Sequence, residues 1–462
     1  MILHEAIMAH ITITKGLSIP IEGKPEGQVQ SISTAEKYVA LDLDTFHDTR
    51  LQLLVNVGDQ VKIGQPLVSD KDELKRAFVS PAAGTVHEIV RGEKRRLIKI
   101  IIEVASKEEQ YRNEGIVLNE VSREELVEKL AAAGAFSHIR MRPFDRLASL
   151  SSVPRNIFVK AVESAPFMPK AEWQVEGYEE VFQLGLQALS KLTSGKVHLV
   201  YHKESDFSAF TNAQFVEKHT IEGPHPIGYV STHIHHIDPI QSNTDVVWTV
   251  NAYDVVVIGQ IIKNGHYHTR RIIGIGGTGI DANARRYLTC REGCALKNFV
   301  EGYLVEQPYR LISGDVLMGR KANTTDYLGF NHFAISVIPE PTEREFLHFF
   351  RAGLNKFTAS RAYLSGIMCS LQKLFRFTTS MHGEERAFID AAVYQRVTPM
   401  NVPIMHLVKA VIAEDYTTAE ELGLLEVAVE DFALPTFVCP SKIEMTEIME
   451  HGLHNYSKQL FS

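Results

Sequence analysis

Between residues 51 and 70 the chain reads "LQLLVNVGDQVKIGQPLVSD", apolar against polar with turns at Gly58-Asp59 and Gly64-Gln65. That is the period-two pattern of half-buried strands. "VSPAAGTVHEIV" and "RRLIKIIIEV" continue it, the latter rich in β-branched residues, so the first hundred residues are expected to be all-β. Near residue 120 the period changes. "SREELVEKLAAAGAF" predicts a helix, with Ser122 and Glu125 as a capping box and Gly134 at its end. "RNIFVKAV" and "GKVHLVYH" read as buried strands flanking the amphipathic "YEEVFQLGLQALSKLTSG", which implies a right-handed parallel strand–helix–strand unit. "VVWTVNA" and "DVVVIGQII" read as a further pair of buried strands reaching about residue 262. Short strands around a helix near "ALKNFVEGY" fill residues 268 to 338. From Pro339 helices are expected in "PTEREFLHFFRAGL", "NVPIMHLVKAVIAED" and "TTAEELGLLEV", the last capped by Thr417 and Glu420.

Length supports several domains: 462 residues exceed one ordinary core. The expected boundaries are 10–110, 111–262, 263–338 and 339–462. A hydrophobic share of 45% with 23% charged residues is globular. A net charge of −8 supplies no basic face for nucleic acid. Four cysteines make no disulfide framework and suit a reduced, cytoplasmic setting. "MILHEAIMAHITITKGL" has no signal-peptide pattern. The most apolar window, "DVVWTVNAYDVVVIGQII", is broken by Asn251 and Asp254, so no span is expected. Docking on membrane subunits stays open.

Four stretches carry candidate chemistry. "GIGGTG" (Gly274 to Gly279) fits a dinucleotide fingerprint, with Glu292 near the distance of its acidic partner. The helix and the second parallel strand are missing after it, which favours a glycine turn. "STHIHHID" would put His233 and His235 on one face of a strand, with His236 on the other and Asp238 beyond. No carboxylate stands at a recognised spacing, so no metal site is expected. "TCREGC" holds Cys290 and Cys294, read as buried thiols. "VCPSK" ends like the ferredoxin pattern C-x2-C-x2-C-x3-C-P. Counting back from Cys439 meets Pro435, Phe432 and Val429, none of which ligates iron, so no cluster is expected.

In the first hundred residues "VNVGDQV" and "SPAAGTV" resemble the lipoyl/biotinyl-carrier fold, a β barrel-sandwich. The hairpin "DKDELKRAF" lacks the modified-lysine context, so Lys71 and Lys75 are read as surface lysines and the domain as scaffold. The order of parts is similar to the electron-input flavoprotein subunit of respiratory complex I. "ITITKGLSIPIEGKP", "RMRPFDRLA", "EGPHPIGYVSTHIHHIDPI", "VVWTVNAYDVVVIGQ", "YLGFNHFAISVI" and "TFVCPSK" resemble more specifically the A-subunit family of the Na+-translocating NADH:quinone oxidoreductases. Residues 1–9 fall outside that resemblance, which admits a start at Met8 as well as Met1.

The resemblance implies an α/β multidomain chain: the barrel-sandwich, a Rossmann-like α/β domain, a β-grasp (SLBB-like) domain and a helical C-terminal domain with a degenerate ferredoxin-type motif. Where the complex I relative carries a glycine-rich flavin and NADH loop, this chain has "GAFSHIRMRPFDRL", with His138, Arg140, Met141, Arg142 and Phe144. Glu163 matches the first of an acidic pair, and Ala165 replaces the second. The resemblance therefore implies a peripheral subunit on the cytoplasmic face of a Na+-pumping NADH:ubiquinone reductase, not catalytic by itself. It would hold no cofactor, flavins and the iron–sulfur centre belonging to partner subunits. Arg140, Arg142, His225, His233 and His235 are the candidates for ubiquinone or partner contact. Two rivals remain: a stand-alone flavin- or NAD-dependent dehydrogenase using "GIGGTG", and a carrier protein modified at Lys71 or Lys75.

Overall fold

The computed structural model describes residues 9–31, 36–306, 308–343, 350–360, 362–368 and 373–461. The first two strands leave the unit that follows them. β1 (Ala9–Thr12) runs parallel to a strand of the central α/β sheet, and β2 (Glu26–Ser31) joins the sheet of the third unit. The barrel-sandwich begins at β3 (Tyr38–Asp42) and continues through β4 (Leu51–Leu53), β5 (Gln60–Val61), β6 (Pro66–Asp70), β7 (Ala77–Val79), β8 (Gly84–Arg91) and β9 (Leu97–Val104). Two sheets, ordered β3-β9-β8-β5 and β4-β6-β7, close over Leu41, Leu67, Phe78 and Ile100. At the β6–β7 hairpin, Lys71 is exposed and Lys75 pairs with Glu128.

The α/β unit comprises α1 (Arg123–Ala132), β10 (Arg140–Arg142), β11 (Arg146–Leu147), β12 (Asn156–Ala161), α2 (Ala171–Val175), α3 (Glu179–Leu192), β13 (Val197–His202), α4 (Ser208–Thr211), β14 (Glu217–Glu222), α5 (Val230–Ile237), β15 (Val247–Asn251) and α6 (Ala252–Asn264). Its sheet is ordered β1-β14-β13-β12-β15-β10-β11 and is parallel from β1 to β15. The Ser122–Glu125 capping box and the left-handed Gly134 form as expected.

Two expectations fail here. "DVVVIGQII" lies within α6 and is not a strand. An apolar run buried all round has no period to read. The deciding signal is local: the Asp254 carboxylate accepts the Asn251 N–H at 2.8 Å, and left-handed Gly265 ends the helix. "STHIHHI" is likewise a helix, α5. It turns His233 and His235 about 200° apart, so they share no face.

The third unit contains β16 (Arg270–Gly276), β17 (Arg286–Arg291), α7 (Lys297–Val300), β18 (Tyr309–Ser313), β19 (Arg320–Ala322) and β20 (Ala334–Pro339). Its sheet runs β19-β18-β20-β16-β17-β2. The helical tail follows with α8 (Ser365–Met368), α9 (Ala392–Gln395), α10 (Ile404–Ile412), α11 (Tyr416–Glu421), α12 (Ala433–Val438) and α13 (Met445–Phe461). Of the expected helix in "PTEREFLHFFRAGL", residues 344–349 lie outside the described residues, as do Met1 to Met8, and the described flanks 341–343 and 350–354 are not α-helical. The cap of α11 is Asp415, which accepts the Thr418 N–H at 3.1 Å, and not Thr417. The helix starts two residues earlier than Thr417 would set it, and an aspartate carboxylate caps as well as a threonine hydroxyl.

Helices α3 and α6 cover one face of the parallel sheet and approach each other through reciprocal glycines. A Cβ at Gly259 would lie 1.9 Å from the Val181 carbonyl oxygen, and one at Gly185 would lie 2.3 Å from that of Val255. Gly259→Ala should therefore destabilise the chain by about 2–3 kcal/mol in urea unfolding, the cost of overpacking against backbone. An unchanged midpoint would mean that the helices are free to separate.

Candidate functional site

A parallel sheet binds ligands beyond the carboxyl ends of its strands, where the strand order reverses. From β12 the chain passes outward to β13 and β14 and returns on the other side as β15. The switch point thus lies between β12 and β15. It is plugged. Lys160 and Glu163 (Nζ–Oε1, 2.9 Å) occupy it with Met168, Asn251, Tyr253 and Phe333. About 10 Å3 remains there, room for roughly one water. Burial pushes the Glu163 carboxyl up, with the Lys160 ammonium opposing.

Beside this plug the short strand β10 carries the expected arginines. Arg142 is buried; its Nη1 donates to Ser231 Oγ at 3.0 Å, Nε lies 3.3 Å from Asp145 Oδ1, and Nη2 lies 3.8 Å from Glu430 Oε1. Arg140 donates to the Asp145 carbonyl at 2.5 Å. Burial alone would raise Asp145, yet Arg140 and Arg142 together hold its carboxyl below the usual range. Glu430 and Asp431 are pushed up by burial, and Glu430 further by Asp431 beside it.

The histidine segment lies against the same wall. The Ser164 hydroxyl accepts the Gly228 N–H at 2.8 Å and hydrogen-bonds His225 Nδ1 at 2.9 Å. His233 Nε2 donates to the Ile227 carbonyl at 2.7 Å. His235 holds the tail: Nδ1 meets Glu426 Oε2 at 2.6 Å, and Nε2 accepts the Asn401 N–H at 3.4 Å. Arg142, His225 and His233 are 2%, 1% and 0% exposed, turned inward by their own partners. Arg140 and His235 keep some solvent contact.

The other motifs resolve into packing. A Cβ at Gly274 would meet the Phe167 carbonyl oxygen at 1.9 Å, and one at Gly277 the Val337 carbonyl oxygen at 2.0 Å. The "GIGGTG" glycines admit protein backbone where a pyrophosphate would have to lie. Glu292 is fully buried, paired at 2.9 Å with Arg271. His138 joins Asp254 (3.0 Å) to Tyr267 (2.7 Å). Cys290 and Cys294 are buried; burial and a hydrogen bond with Cys290 raise the Cys294 thiol. Cys439 is enclosed, its Sγ 3.1 Å from the Tyr394 hydroxyl and accepting the Ile443 N–H at 3.4 Å. Phe432 and Pro435 are buried and Val429 is partly so. Cys369 lies outside the described residues.

Sequence reasoning missed Lys160, three residues before Glu163, and Tyr229, whose ring meets that of His225 with centroids 4.6 Å apart, as well as Glu430 and Asp431, which approach the site only through tertiary packing. It also missed His198, Glu217 and His219, which gather at the opposite edge of the sheet. "KVHLVYH" and "EKHTIE" show the alternation, but the pairing of β13 with β14 is a register between distant segments.

Three family descriptions match along the chain: "NqrA N-terminal barrel-sandwich hybrid domain" over residues 11–105, "NqrA second alpha/beta domain" over 121–267 and "NQRA C-terminal domain", an SLBB domain, over 272–324. Relatives named as the A subunit of Na(+)-translocating NADH-quinone reductase match at full length. That of Chlamydia caviae is 34% identical over 460 residues, covering 97% of both chains. The chain belongs to this NqrA family. The Saccharophagus degradans member is 35% identical over 97% of this chain and 100% of its own. The Yersinia pseudotuberculosis member reaches 37% over 95% and 97%. A crystal structure of an NAD+-reducing [NiFe]-hydrogenase aligns at 12% identity over 74% of this chain and 65% of that one, with a TM-score of 0.38, too low to carry an argument. Among the described residues no helix is long and apolar enough to cross a membrane.

Burial keeps His225 and His233 neutral, each with its pKa lowered to about 3. Unfolding frees them to titrate near 6.5. A folded pKa below the unfolded one gives stability that is complete above about 6.5 and lost as pH falls toward 3. Each histidine should then contribute a slope of about 1.4 kcal/mol per pH unit between pH 6 and 4. The raised carboxyls act in the opposite sense. Urea unfolding of His233→Gln should show the acid-side slope reduced by about that amount relative to the parent. An unchanged slope would mean that His233 is protonated in the folded chain.

Proposed function

We propose that this chain is a peripheral subunit of a Na+-pumping NADH:ubiquinone reductase, on the cytoplasmic face of the membrane, that holds no redox cofactor and serves assembly and docking. Family membership supplies the complex. The plug at the switch point carries the rest: the place where this fold class takes a nucleotide is filled by Lys160, Glu163, Met168, Tyr253 and Phe333. The enclosed Cys439 and the backbone-filled "GIGGTG" turn support the same reading against a stand-alone dehydrogenase.

A role in quinone reduction takes a different place from the arginine–histidine wall. Between the third unit and the tail lies a cleft of about 910 Å3, walled by Phe357, Phe375, Phe377 and Phe437 and edged by Arg386 and Lys442. Its size and aromatic wall suit a quinone ring. The partner subunits would bring flavins and the iron–sulfur centre.

The chain purified alone should show no flavin or cluster absorption in the visible. A flavin spectrum bleached by NADH would overturn the cofactor-free reading. A photoreactive ubiquinone added to the assembled complex should label peptides containing Phe357 or Phe437. Label confined to other subunits would remove the quinone role and leave docking.

A further inference from the structure

The amino-terminal edge of the parallel sheet, at the far end from the plug, carries a second cluster. We propose that His198, Glu217 and His219 bind one divalent transition-metal ion of the zinc class there. The fold places the three donors together without any rearrangement of backbone. Parallel pairing sets His198 on β13 opposite Glu217 on β14, and the two-residue period returns His219 to the same face as Glu217.

His198 Nδ1 lies 3.0 Å from His219 Nε2 and 3.6 Å from Glu217 Oε2. One ligand atom from each residue falls within 4.8 Å of the others. Tetrahedral zinc with bonds of about 2.0–2.2 Å spaces its donors about 3.3 Å apart, so an ion enters with small side-chain shifts. Two histidines and a glutamate form a donor set that zinc accepts, leaving the fourth position for water.

The side chains are prepared for this. Phe158 stacks on the His198 ring with centroids 4.7 Å apart, fixing its plane. Burial lowers His198 to about 4 and also lowers His219, so both present the neutral imidazole that a metal requires. In the ion-free chain the two neutral rings share one hydrogen bond through His198 Nδ1 and His219 Nε2, the two nitrogens that would turn to the ion, while the outer nitrogens His198 Nε2 and His219 Nδ1 are buried with no partner among the described residues and take no part in binding. The Glu217 side chain is 29% exposed, which gives the ion a way in.

Two features set the strength of binding. Lys196 contacts Glu217 Oε1 and competes with the ion for its charge, though its own side chain is 62% exposed and can swing away. Among the described residues no carboxylate or carbonyl stands behind the outer ring nitrogens, the support that tight zinc sites use. The site is therefore exchangeable, and the ion is not needed for folding.

The test is a titration of the full-length chain with Co2+, followed by visible absorption, with equilibrium dialysis against zinc. One equivalent should bind with the d–d bands of tetrahedral cobalt and no thiolate charge-transfer band. Glu217→Gln should weaken binding tenfold or more with unchanged circular dichroism, while Lys196→Ala should bind at least as tightly as the parent. His219→Gln should abolish binding, but its burial makes misfolding a hazard, so the decision rests on the two more exposed positions. No stoichiometric complex, equal affinity in Glu217→Gln, weaker binding in Lys196→Ala, or a thiolate band assigning the metal to Cys290 and Cys294 would each overturn the proposal.

Discussion

A buried guanidinium has to be paired, because leaving it alone out of water costs several kcal/mol. Arg142 meets that demand with groups from three separate segments: Asp145 in its own loop, Ser231 on α5 and Glu430 in the tail. The tail cannot leave without exposing this charge to an incomplete shell. Once it is seated, Glu426 reaches His235, and the core around Phe432, Leu434 and Tyr394 closes over the second face of the parallel sheet. That face is where α5 lies, so the loop holding His225 and Tyr229 is fixed as well. One charge at the end of β10 organises the whole wall.

The consequence is a nucleotide-binding topology with its binding position closed from several directions. Lys160 and Glu163 fill the switch point, His138 is tied to Asp254 and Tyr267 beside it, and the "GIGGTG" glycines let Phe167 and Val337 approach. Glycines and buried acids are what a cofactor site needs, and they are equally what close packing of sheets needs. Only the identity of the neighbour tells them apart. In this member of the NqrA family the neighbour is, at each of these positions, another part of the same chain.

Much of this was legible in the sequence, wherever the signal was local. The capping box at Ser122, the strand–helix–strand unit and the alternation of the barrel-sandwich all rest on spacings of a few residues. Helix α6 was misread because a uniformly buried β-branched run looks the same in strand and helix; the Asn251–Asp254 contact was the informative detail. Helix α5 was misread because alternating histidines suggest a strand when burial is unknown. The departure of β1 and β2 into other sheets, the seating of Glu430 beside Arg142, and the meeting of His198 with His219 depend on registers between distant segments. No local spacing records those.

The Arg142 guanidinium is engaged by groups of the chain itself rather than held open for a ligand. A double-mutant cycle tests this most directly, combining Arg142→Met with Glu430→Gln in urea unfolding of the full-length chain. Each single variant should be destabilised, and the two should be coupled by about 1 kcal/mol or more, as for groups in one buried network. Additive effects, with Arg142→Met as stable as the parent, would contradict that engagement and return Arg142 to the surface of a ligand site.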